Sequence, residues 1–397
     1  MRVLMISWEY PPRVVGGLAR HVQELARAIA RSCDVHVVTC SSPGAKPLER
    51  DFGVWVHRVE PLGPVTDDFL WWTEQLSHAM LARAAGLSEE DGGFQIVHAH
   101  DWLAAMAAAG VKREFGTPLA ATIHATEWGR NGGLHNAAQR RISDIEWYLC
   151  YEACRVIVCS NHMRSEVMRI FGLPEDKVRV IPNGVCPEQF SSSDAVAPTP
   201  EYARPDKDVI LYVGRLVHEK GVQLLIEAMP KILSYWPSGR LVIAGCGPAE
   251  GDLRDLAARL GLGGKVVMTG FISDQDRNAL YRAARVAVVP SLYEPFGITA
   301  LEAMAAHTPL VVADTGGLSE IVRHGENGWK FYVENPNSLA DAILHLLHCP
   351  EEAVKLAEAA YRDVLETYDW MAIARQTVRV YQSAIEISLG RGEEIAQ

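Results

Sequence analysis

Two glutamates eight residues apart, Glu294 and Glu302, are the side chains whose placement most clearly suggests chemistry. Pro295 disfavours helical backbone at the residue before it, so we expect Glu294 to lie in a loop. The stretch from Gly297 to Ala306 reads as a helix, and the unpaired N–H groups at a helix start favour a phosphate. A ligand with both phosphates and hydroxyls, such as a nucleotide-sugar, would suit two carboxylates placed in this way. A solvated acidic helix is the alternative for the pair taken alone.

A second group of candidates follows the predicted strand Val209–Val213. Arg215 and Lys220 lie in one turn, beside Gly214 and Gly221. Arginine offers a planar fork to phosphate oxygens and lysine a point charge, so together they could neutralise a diphosphate. The glycine spacing matches neither a Walker A loop nor a Rossmann fingerprint. Two solvated loop cations are the alternative interpretation.

Two further loops contain groups that could approach a ligand. Gly16 and Gly17 precede a helix after the first predicted strand, and paired glycines there permit close approach of backbone to a ligand, although a tight turn would also use them. Gly270, Phe271 and Ile272 follow a later strand. The primary interpretation of these residues is a turn, and their backbone groups could also contact a nucleotide base.

Histidines lie at the ends of two predicted strands in the first half of the chain. His98 and His100 share one face of a strand, and with Asp101 they could bind a metal. A third histidine or cysteine with matching placement is not evident, so we predict no metal. Asp101 could instead cap the next helix. His124 follows the strand Leu119–Ile123, where it could meet a sugar hydroxyl or be a satisfied core group.

Length and composition restrict the class of protein. A chain of 397 residues favours two domains, and a net charge of −11 argues against nucleic acid as the main partner and weakens stable docking on an anionic membrane. No apolar run is long enough to cross a bilayer, and the N-terminal stretch reads as a buried strand and not as a signal peptide. The eight cysteines contain no CxxC pair, which favours reduced thiols and a cytoplasmic location.

Short β-branched runs alternate with helical patterns in both halves of the chain, which predicts parallel sheets covered by helices. We therefore expect an α/β protein with two Rossmann-like, doubly wound domains facing each other across a cleft, with ligands at the carboxyl ends of strands. The predicted domains span residues 1–188 and 189–369, and residues 188–208 read as a linker. A helix over about residues 370–390 is expected to pack back on the first domain. The predicted strands are Val3–Ser7, Val35–Thr39, Val54–Arg58, Ile96–Ala99, Leu119–Ile123, Val156–Cys159, Val178–Ile181, Val209–Val213, Leu241–Ala244, Val266–Met268, Val286–Val289, Leu310–Ala313 and Trp329–Tyr332.

The set of motifs resembles the retaining nucleotide-sugar glycosyltransferases of family 4, which have the GT-B fold, and within them the glycogen and starch synthases. The resemblance covers nearly the whole chain. The motifs that carry it are Gly16-Gly17, His98-Ala-His-Asp101-Trp102, His124, Pro182-Asn183-Gly184, Gly214-Arg215 with Lys220-Gly221, and the segment from Glu294 to Glu302.

The resemblance implies a role for each candidate. Arg215 and Lys220 would hold the donor diphosphate and the charge on the leaving nucleotide, without a metal or other cofactor. Glu294 would bind donor-sugar hydroxyls and Glu302 the ribose diol. His124 would contact the donor sugar. The remaining roles are backbone groups from Phe296, Gly297 and Ile298 at the donor, close approach of Gly16 and Gly17 to the phosphates, and Asp101 near the acceptor.

These roles predict a hexosyltransferase that moves glucose from ADP- or UDP-glucose to a saccharide acceptor. Retention of configuration has two open routes, through a carboxylate nucleophile or through front-face attack, which the resemblance favours. Glycogen synthases carry a lysine two residues before the paired glycines, where this chain has Val14. A lipid, cell-wall or small-molecule acceptor is therefore an alternative. A catalytically silent nucleotide-binding protein is the alternative of another class, and the oligomeric state is not predicted.

Overall fold

The computed structural model describes residues 1–63, 68–90, 92–191 and 208–395, which form two compact units. Unit 1 contains Met1–Asn183 together with Trp370–Gln397, and unit 2 contains Gly184–Asp369. Most of the stretch predicted as a linker, residues 192–207, lies outside the described residues.

Unit 1 alternates strands and helices along most of its length. Its strands are β1 Arg2–Ile6, β2 Asp34–Cys40, β3 Leu48–Asp51, β4 Val54–Val59, β5 Ile96–His100, β6 Leu119–Ile123, β7 Arg155–Val158 and β8 Val178–Val180. Its helices are α1 Gly17–Ile29, α2 Phe69–Glu90, α3 Ala105–Phe115, α4 Glu127–Asn131, α5 Ala137–Glu152, α6 Asn161–Phe171 and, from the end of the chain, Trp370–Ile395.

The described strands of unit 1 form one sheet in the order β3-β4-β2-β1-β5-β6-β7-β8, parallel except where β3 pairs with β4. Every residue of β5 and β6 is buried, as expected for parallel strands covered by helices on both faces. The strand order reverses between β1 and β5. Ligands of doubly wound sheets bind at such a switch point, beyond the carboxyl ends of the strands.

The C-terminal helix Trp370–Ile395 is part of unit 1. Its buried residues include Trp370, Ile373, Val380 and Tyr381, whereas Ile385 is only half-buried. The Tyr381 hydroxyl lies 2.7 Å from Nδ1 of His98. A polar contact between a β5 side chain and this helix therefore accompanies the apolar packing.

Unit 2 repeats the same alternation. Its strands are β9 Asp208–Val213, β10 Gly239–Ala244, β11 Val266–Gly270, β12 Val286–Val289, β13 Leu310–Ala313 and β14 Trp329–Phe331. Its helices are α7 Glu188–Ser191, α8 Val222–Tyr235, α9 Glu250–Arg259, α10 Asp274–Ala283, α11 Ile298–Ala305, α12 Leu318–Ile321, α13 Pro336–His348 and α14 Pro350–Thr367, so that the C-terminal helix of unit 1 becomes α15.

The described strands of unit 2 form a parallel sheet in the order β11-β10-β9-β12-β13-β14. The order reverses between β9 and β12, which are adjacent in the sheet although two strands separate them in the chain. The loops after these two strands contain Arg215, Lys220 and Glu294. The topology thus places the predicted charged residues at the switch point of this sheet.

Two chemical expectations can be compared with the described residues. All eight cysteines are free thiols. No helix among the described residues is long and apolar enough to cross a membrane.

Candidate active site

The loops after β9 and β12 are held against each other by a glycine. Gly221 has φ +69°, and a Cβ at this position would lie 2.0 Å from the carbonyl oxygen of Pro290. The Leu292 N–H also donates to the carbonyl of Glu219 at 2.8 Å. A side chain at position 221 would force the loops apart, so the glycine fixes the separation of the residues that they contain.

This close approach brings Lys220 to Glu294. The Lys220 ammonium donates to Glu294 Oε2 at 2.7 Å, and the Ser291 hydroxyl donates to the same oxygen at 3.0 Å. The two side chains are 22% and 10% exposed, so the pair is screened from solvent but remains accessible on one side. Such charge-assisted hydrogen bonds hold a carboxylate in one orientation. Two residues 74 positions apart in the sequence thereby form one hydrogen-bonded ion pair.

A second pair of glycines, which the sequence analysis did not select, supports the backbone of Glu294. The Gly317 N–H donates to the Glu294 carbonyl at 2.9 Å. A Cβ on Gly316 would lie 2.1 Å from that carbonyl oxygen, and one on Gly317 would lie 2.4 Å from the Phe296 Cα. The signal was present, because paired glycines shortly after a buried strand, here separated from β13 by two residues, permit close approach of another segment.

Arg215 lies on the same loop as Lys220, after β9. Its carbonyl accepts a hydrogen bond from the Tyr212 hydroxyl at 2.8 Å, and Nη2 lies 3.7 Å from Glu219 Oε1. The side chain is 44% exposed. Because the backbone is anchored and the guanidinium remains accessible, Arg215 can present its fork to a phosphate.

Helix α11 begins immediately after the Glu294 loop. Gly297 precedes it with φ +120°, and a Cβ there would lie 2.6 Å from a methyl group of Leu318. Phe296 is buried and Ile298 is the first helical residue. The predicted donor residues Phe296, Gly297 and Ile298 therefore form the N-terminal entry to the helix, where amides can bind an anion.

Glu302 is buried on α11 among apolar residues and has partners that the sequence analysis missed. Arg277 of α10 lies 3.2 Å from Oε1, and the Tyr281 hydroxyl donates to Oε2 at 3.1 Å. Both charged side chains are less than a tenth exposed. A buried carboxylate needs a compensating partner, and the Arg277 guanidinium provides the opposite charge.

Phe271 and Ile272 lie farther along the sheet. They follow β11, and β10 separates that strand from β9. Phe271 is 71% exposed. The sheet order does not bring these two residues to the Lys220–Glu294 pair, and their contact with a nucleotide base stays a prediction.

In unit 1, Gly16 and Gly17 lie at the start of α1 beside a carboxylate that the sequence analysis missed. Glu9 is 3% exposed, and its Oε2 accepts hydrogen bonds from the amides of Val15 at 2.7 Å and Gly16 at 3.0 Å. Glu9 therefore fixes the loop, and a ligand phosphate would have to use amides beyond these two.

His100, Asp101 and His124 lie together at the carboxyl ends of β5 and β6. His100 Nδ1 is 3.2 Å from His124 Nε2, and the His124 amide donates to Asp101 Oδ1 at 2.7 Å. Asp101 does occupy the N-cap position before the 3-10 helix Trp102–Ala104, but its carboxylate makes no cap hydrogen bond. Its carboxylate instead holds the backbone at His124, just after β6. The Asp101 backbone has φ +60°. Such a conformation in a non-glycine residue is uncommon and requires support from its surroundings.

Burial controls the protonation of these groups. It lowers the pKa of His124 to about 3, with a further decrease from the charge of Arg130. It raises the pKa of the Asp101 carboxyl to about 6, although Arg130 and backbone hydrogen bonds oppose the shift. His124 is thus a neutral imidazole near pH 7, able to donate one hydrogen bond and accept another.

Glu146 of α5 gives a pH-dependent prediction for unit 1. It accepts the Glu127 amide at 2.9 and 3.1 Å, and burial raises its pKa from 4.5 to about 8 against the opposing charge of Arg130. The folded state therefore holds a proton that the unfolded state loses above about pH 4.5, so the contribution of Glu146 to wild-type stability falls as the pH rises toward 8. Glu146→Gln lacks this proton exchange, so its melting temperature should rise relative to wild type by a few degrees across that interval.

Thermal melts at several pH values between about 5 and 8 test this expectation. Glu152→Gln is the matched control, because Glu152 lies on the same helix in a partly exposed ion pair with Lys112 at 2.8 Å. Its difference from wild type should stay nearly constant with pH. A constant difference for Glu146→Gln as well would contradict the buried-proton account.

Comparison with known proteins places this geometry in a family. The family model described as Glycosyltransferase Family 4 matches residues 15–189, and that described as Glycosyl transferases group 1 matches residues 199–363. The chain is 40% identical to an uncharacterized glycosyltransferase of Methanocaldococcus jannaschii, over 98% of this chain and all of the other. It is 36% identical to a glycogen synthase of Mycobacterium tuberculosis, over 97% of this chain and 95% of the other.

A solved structure agrees with these sequence relatives. The sucrose-phosphate synthase of Thermosynechococcus elongatus superposes with a TM-score of 0.84 at 26% identity, over 98% of this chain and 100% of the other. The chain belongs to the glycosyltransferases of family 4 with the GT-B fold. The predicted fold class, the resemblance to glycogen and starch synthases and the assignment as a transferase are confirmed.

Proposed function

We propose that this glycosyltransferase is a retaining hexosyltransferase that moves glucose from ADP- or UDP-glucose to a saccharide acceptor. The observation that carries the proposal is the Lys220–Glu294 pair, at 2.7 Å, at the switch point of the unit 2 sheet. A cation and a carboxylate at one point match a donor that presents phosphate and sugar hydroxyls together.

Unit 2 supplies a separate group for each part of the donor. Arg215, Lys220 and the amides at the start of α11 neutralise the diphosphate. Glu294 accepts hydrogen bonds from the sugar hydroxyls, and Glu302 from the ribose diol. The positive charges are provided by the chain itself, so the proposed mechanism requires no metal ion.

The reaction breaks the bond between sugar C1 and the phosphate oxygen, and the electron pair leaves with the nucleoside diphosphate. An acceptor hydroxyl forms the new bond to C1 and gives up its proton. In the front-face route, the leaving phosphate oxygen takes that proton from the same face of the sugar. Lys220 and Arg215 act most strongly as the bond breaks, because the charge on the leaving phosphate then grows.

The residues of unit 1 keep the roles that the family resemblance implies. His124 contacts the donor sugar as a neutral imidazole. Asp101, whose Oδ1 accepts the His124 amide at 2.7 Å, lies near the acceptor. Glucose and a glucan acceptor are supported by the 36% identity to a glycogen synthase. Val14, where glycogen synthases have lysine, removes one donor-phosphate contact and is a reason to test other acceptors.

A screen of ADP-, UDP- and GDP-sugars tests the proposal. The purified chain should release nucleoside diphosphate from ADP- or UDP-glucose, and release should accelerate with maltooligosaccharides or glycogen. Activity only with a lipid or phosphorylated small-molecule acceptor would replace the glucan assignment. Tight nucleotide binding without transfer to any acceptor would contradict the enzymatic proposal itself.

A further inference from the structure

Three histidines of unit 1 converge from different elements. His21 lies on α1, His100 ends β5 and His124 follows β6. One ring nitrogen of each lies within 4.8 Å of the other two. A zinc ion with ligands at about 2.0–2.1 Å in tetrahedral geometry places neighbouring nitrogens about 3.3 Å apart. The 3.2 Å separation of His100 Nδ1 and His124 Nε2 already matches one such edge.

Polar atoms in this cluster are buried without partners. Neither ring nitrogen of His21 has a hydrogen bond of acceptable geometry, and Nε2 of His100 has none. Both side chains are at least nine-tenths buried. A buried polar atom without a partner costs free energy, and an ion bound to one ring nitrogen of His21 would offset that cost at this residue. His100 would bind the ion through Nδ1, and its Nε2 would stay as it is. His98 differs, because its two nitrogens lie 2.7 Å from the Tyr381 and Thr122 hydroxyls.

The three imidazoles are in the form that a metal binds. Burial lowers the pKa of His21 and of His100 well below 6.5, and the charges of neighbouring histidines lower both further, although the Asn183 side chain opposes the shift at His21. Burial and the charge of Arg130 also lower the pKa of His124, to about 3. Neutral imidazoles coordinate without first losing a proton. The charge of Arg130 disfavours a cation at this position, and the neighbouring Asp101 carboxyl interacts with that charge.

We propose that His21, His100 and His124 form a zinc site in unit 1 and that Zn²⁺ bound there inhibits sugar transfer. Three neutral imidazoles with a fourth position open are a ligand set that suits zinc. His124 is only partly buried, so the ion has access from solvent. The inhibition rests on the proposed function, because it requires that a metal-bound His124 can no longer contact the donor sugar.

A second cluster, His345, Cys349 and Glu352 in unit 2, provides an internal control. It is partly exposed, and His345 Nε2 already lies 2.9 Å from Glu352 Oε2. A metal bound there would have a thiolate ligand, which gives a charge-transfer band with Co²⁺ that imidazoles do not give. The two clusters are therefore distinguishable in the intact protein.

The test is a titration of the chelator-treated full chain with Co²⁺, followed by competition with Zn²⁺. We expect one tetrahedral site per chain without a thiolate band, retained in Cys349→Ser and weakened at least about 10–100-fold in His21→Phe. His21→Phe keeps a ring against Trp370. Absence of binding, or binding lost in Cys349→Ser and kept in His21→Phe, would overturn the site. Zinc X-ray absorption spectroscopy on the wild type decides between the two clusters without a variant. Coordination by nitrogen without sulfur indicates the three histidines, and a sulfur ligand indicates the cluster with Cys349.

Inhibition of sugar transfer by Zn²⁺ is tested in an activity assay, independently of the Co²⁺ titration. Zn²⁺ should abolish transfer by wild type and Cys349→Ser, a chelator should restore it, and His21→Phe should resist. Metal bound at the three histidines with transfer unchanged would refute the inhibition and leave the proposed function standing. If the chelator-treated protein transfers sugar from no donor, the proposed function fails and with it the inhibition, whereas the Co²⁺ titration still decides the site.

Discussion

Glu294→Gln is expected to lower kcat for sugar transfer by about 10²–10³-fold while the protein stays folded. The substitution keeps the shape of the side chain and removes the charge that accepts from Lys220 at 2.7 Å and from Ser291 at 3.0 Å. The sugar hydroxyls would then meet a weaker acceptor, and the orientation of the lysine would be lost. Steady-state kinetics with the productive donor measure the effect.

Glu302→Gln is the matched control for this variant, because it removes the other carboxylate of the same segment. Its carboxylate is held by Arg277 at 3.2 Å and is assigned to the ribose, so the main change should be a higher KM for the donor with kcat less affected. Equal kcat for Glu294→Gln and wild type would contradict the assignment of Glu294 to the reaction.

Lys220→Ala is expected to lower kcat/KM by about 10²–10³-fold and to weaken the binding of nucleoside diphosphate. The ammonium is both a cation for the leaving phosphate and the partner of Glu294, so its removal affects the transition state more than the ground state. Calorimetry with ADP or UDP measures the binding, and single-turnover assays measure the chemical step.

Lys231→Ala provides the control for general charge effects in unit 2. Lys231 lies on α8 and pairs with Asp341 at 2.6 Å, away from the loops at the switch point. It should leave nucleotide affinity and turnover within about twofold. A Lys220→Ala variant as active as Lys231→Ala would refute the role of Lys220. The double variant Lys220→Ala/Glu294→Gln should lose less than the product of the single losses, because the two groups act as one.

The fold was predictable where the hydrophobic pattern was strong. The predicted bounds of β6, β12 and β13 agree with the structure residue for residue, because buried parallel strands read as continuous apolar runs. Strand β3, Leu48–Asp51, was missed because its residues alternate between exposed and half-buried positions. It exists through antiparallel pairing with β4 across a turn with positive φ at Phe52 and Gly53.

The site was predictable where its residues follow a strand or precede a helix. Arg215 and Lys220 were found from the strand before them, and Glu294 and Glu302 from Pro295 and the start of the following helix. The contacts that hold the two glutamates, Glu302–Arg277 and Glu294–Gly317, join segments far apart in the sequence that no local pattern connects. The same limit applies in unit 1, where Glu9 fixes the start of α1 and His21 joins His100 and His124 only in three dimensions.

The most direct test of the central claim is proton NMR of the reaction with the productive nucleotide-sugar, in the presence of a chelator. The account predicts one equivalent of nucleoside diphosphate for each new glycosidic bond. It also predicts an α-anomeric signal in the product from an α-linked donor, and loss of both signals with Glu294→Gln. A β-linked product, a reaction that requires added metal, or the same product at the same rate from Glu294→Gln would contradict the account.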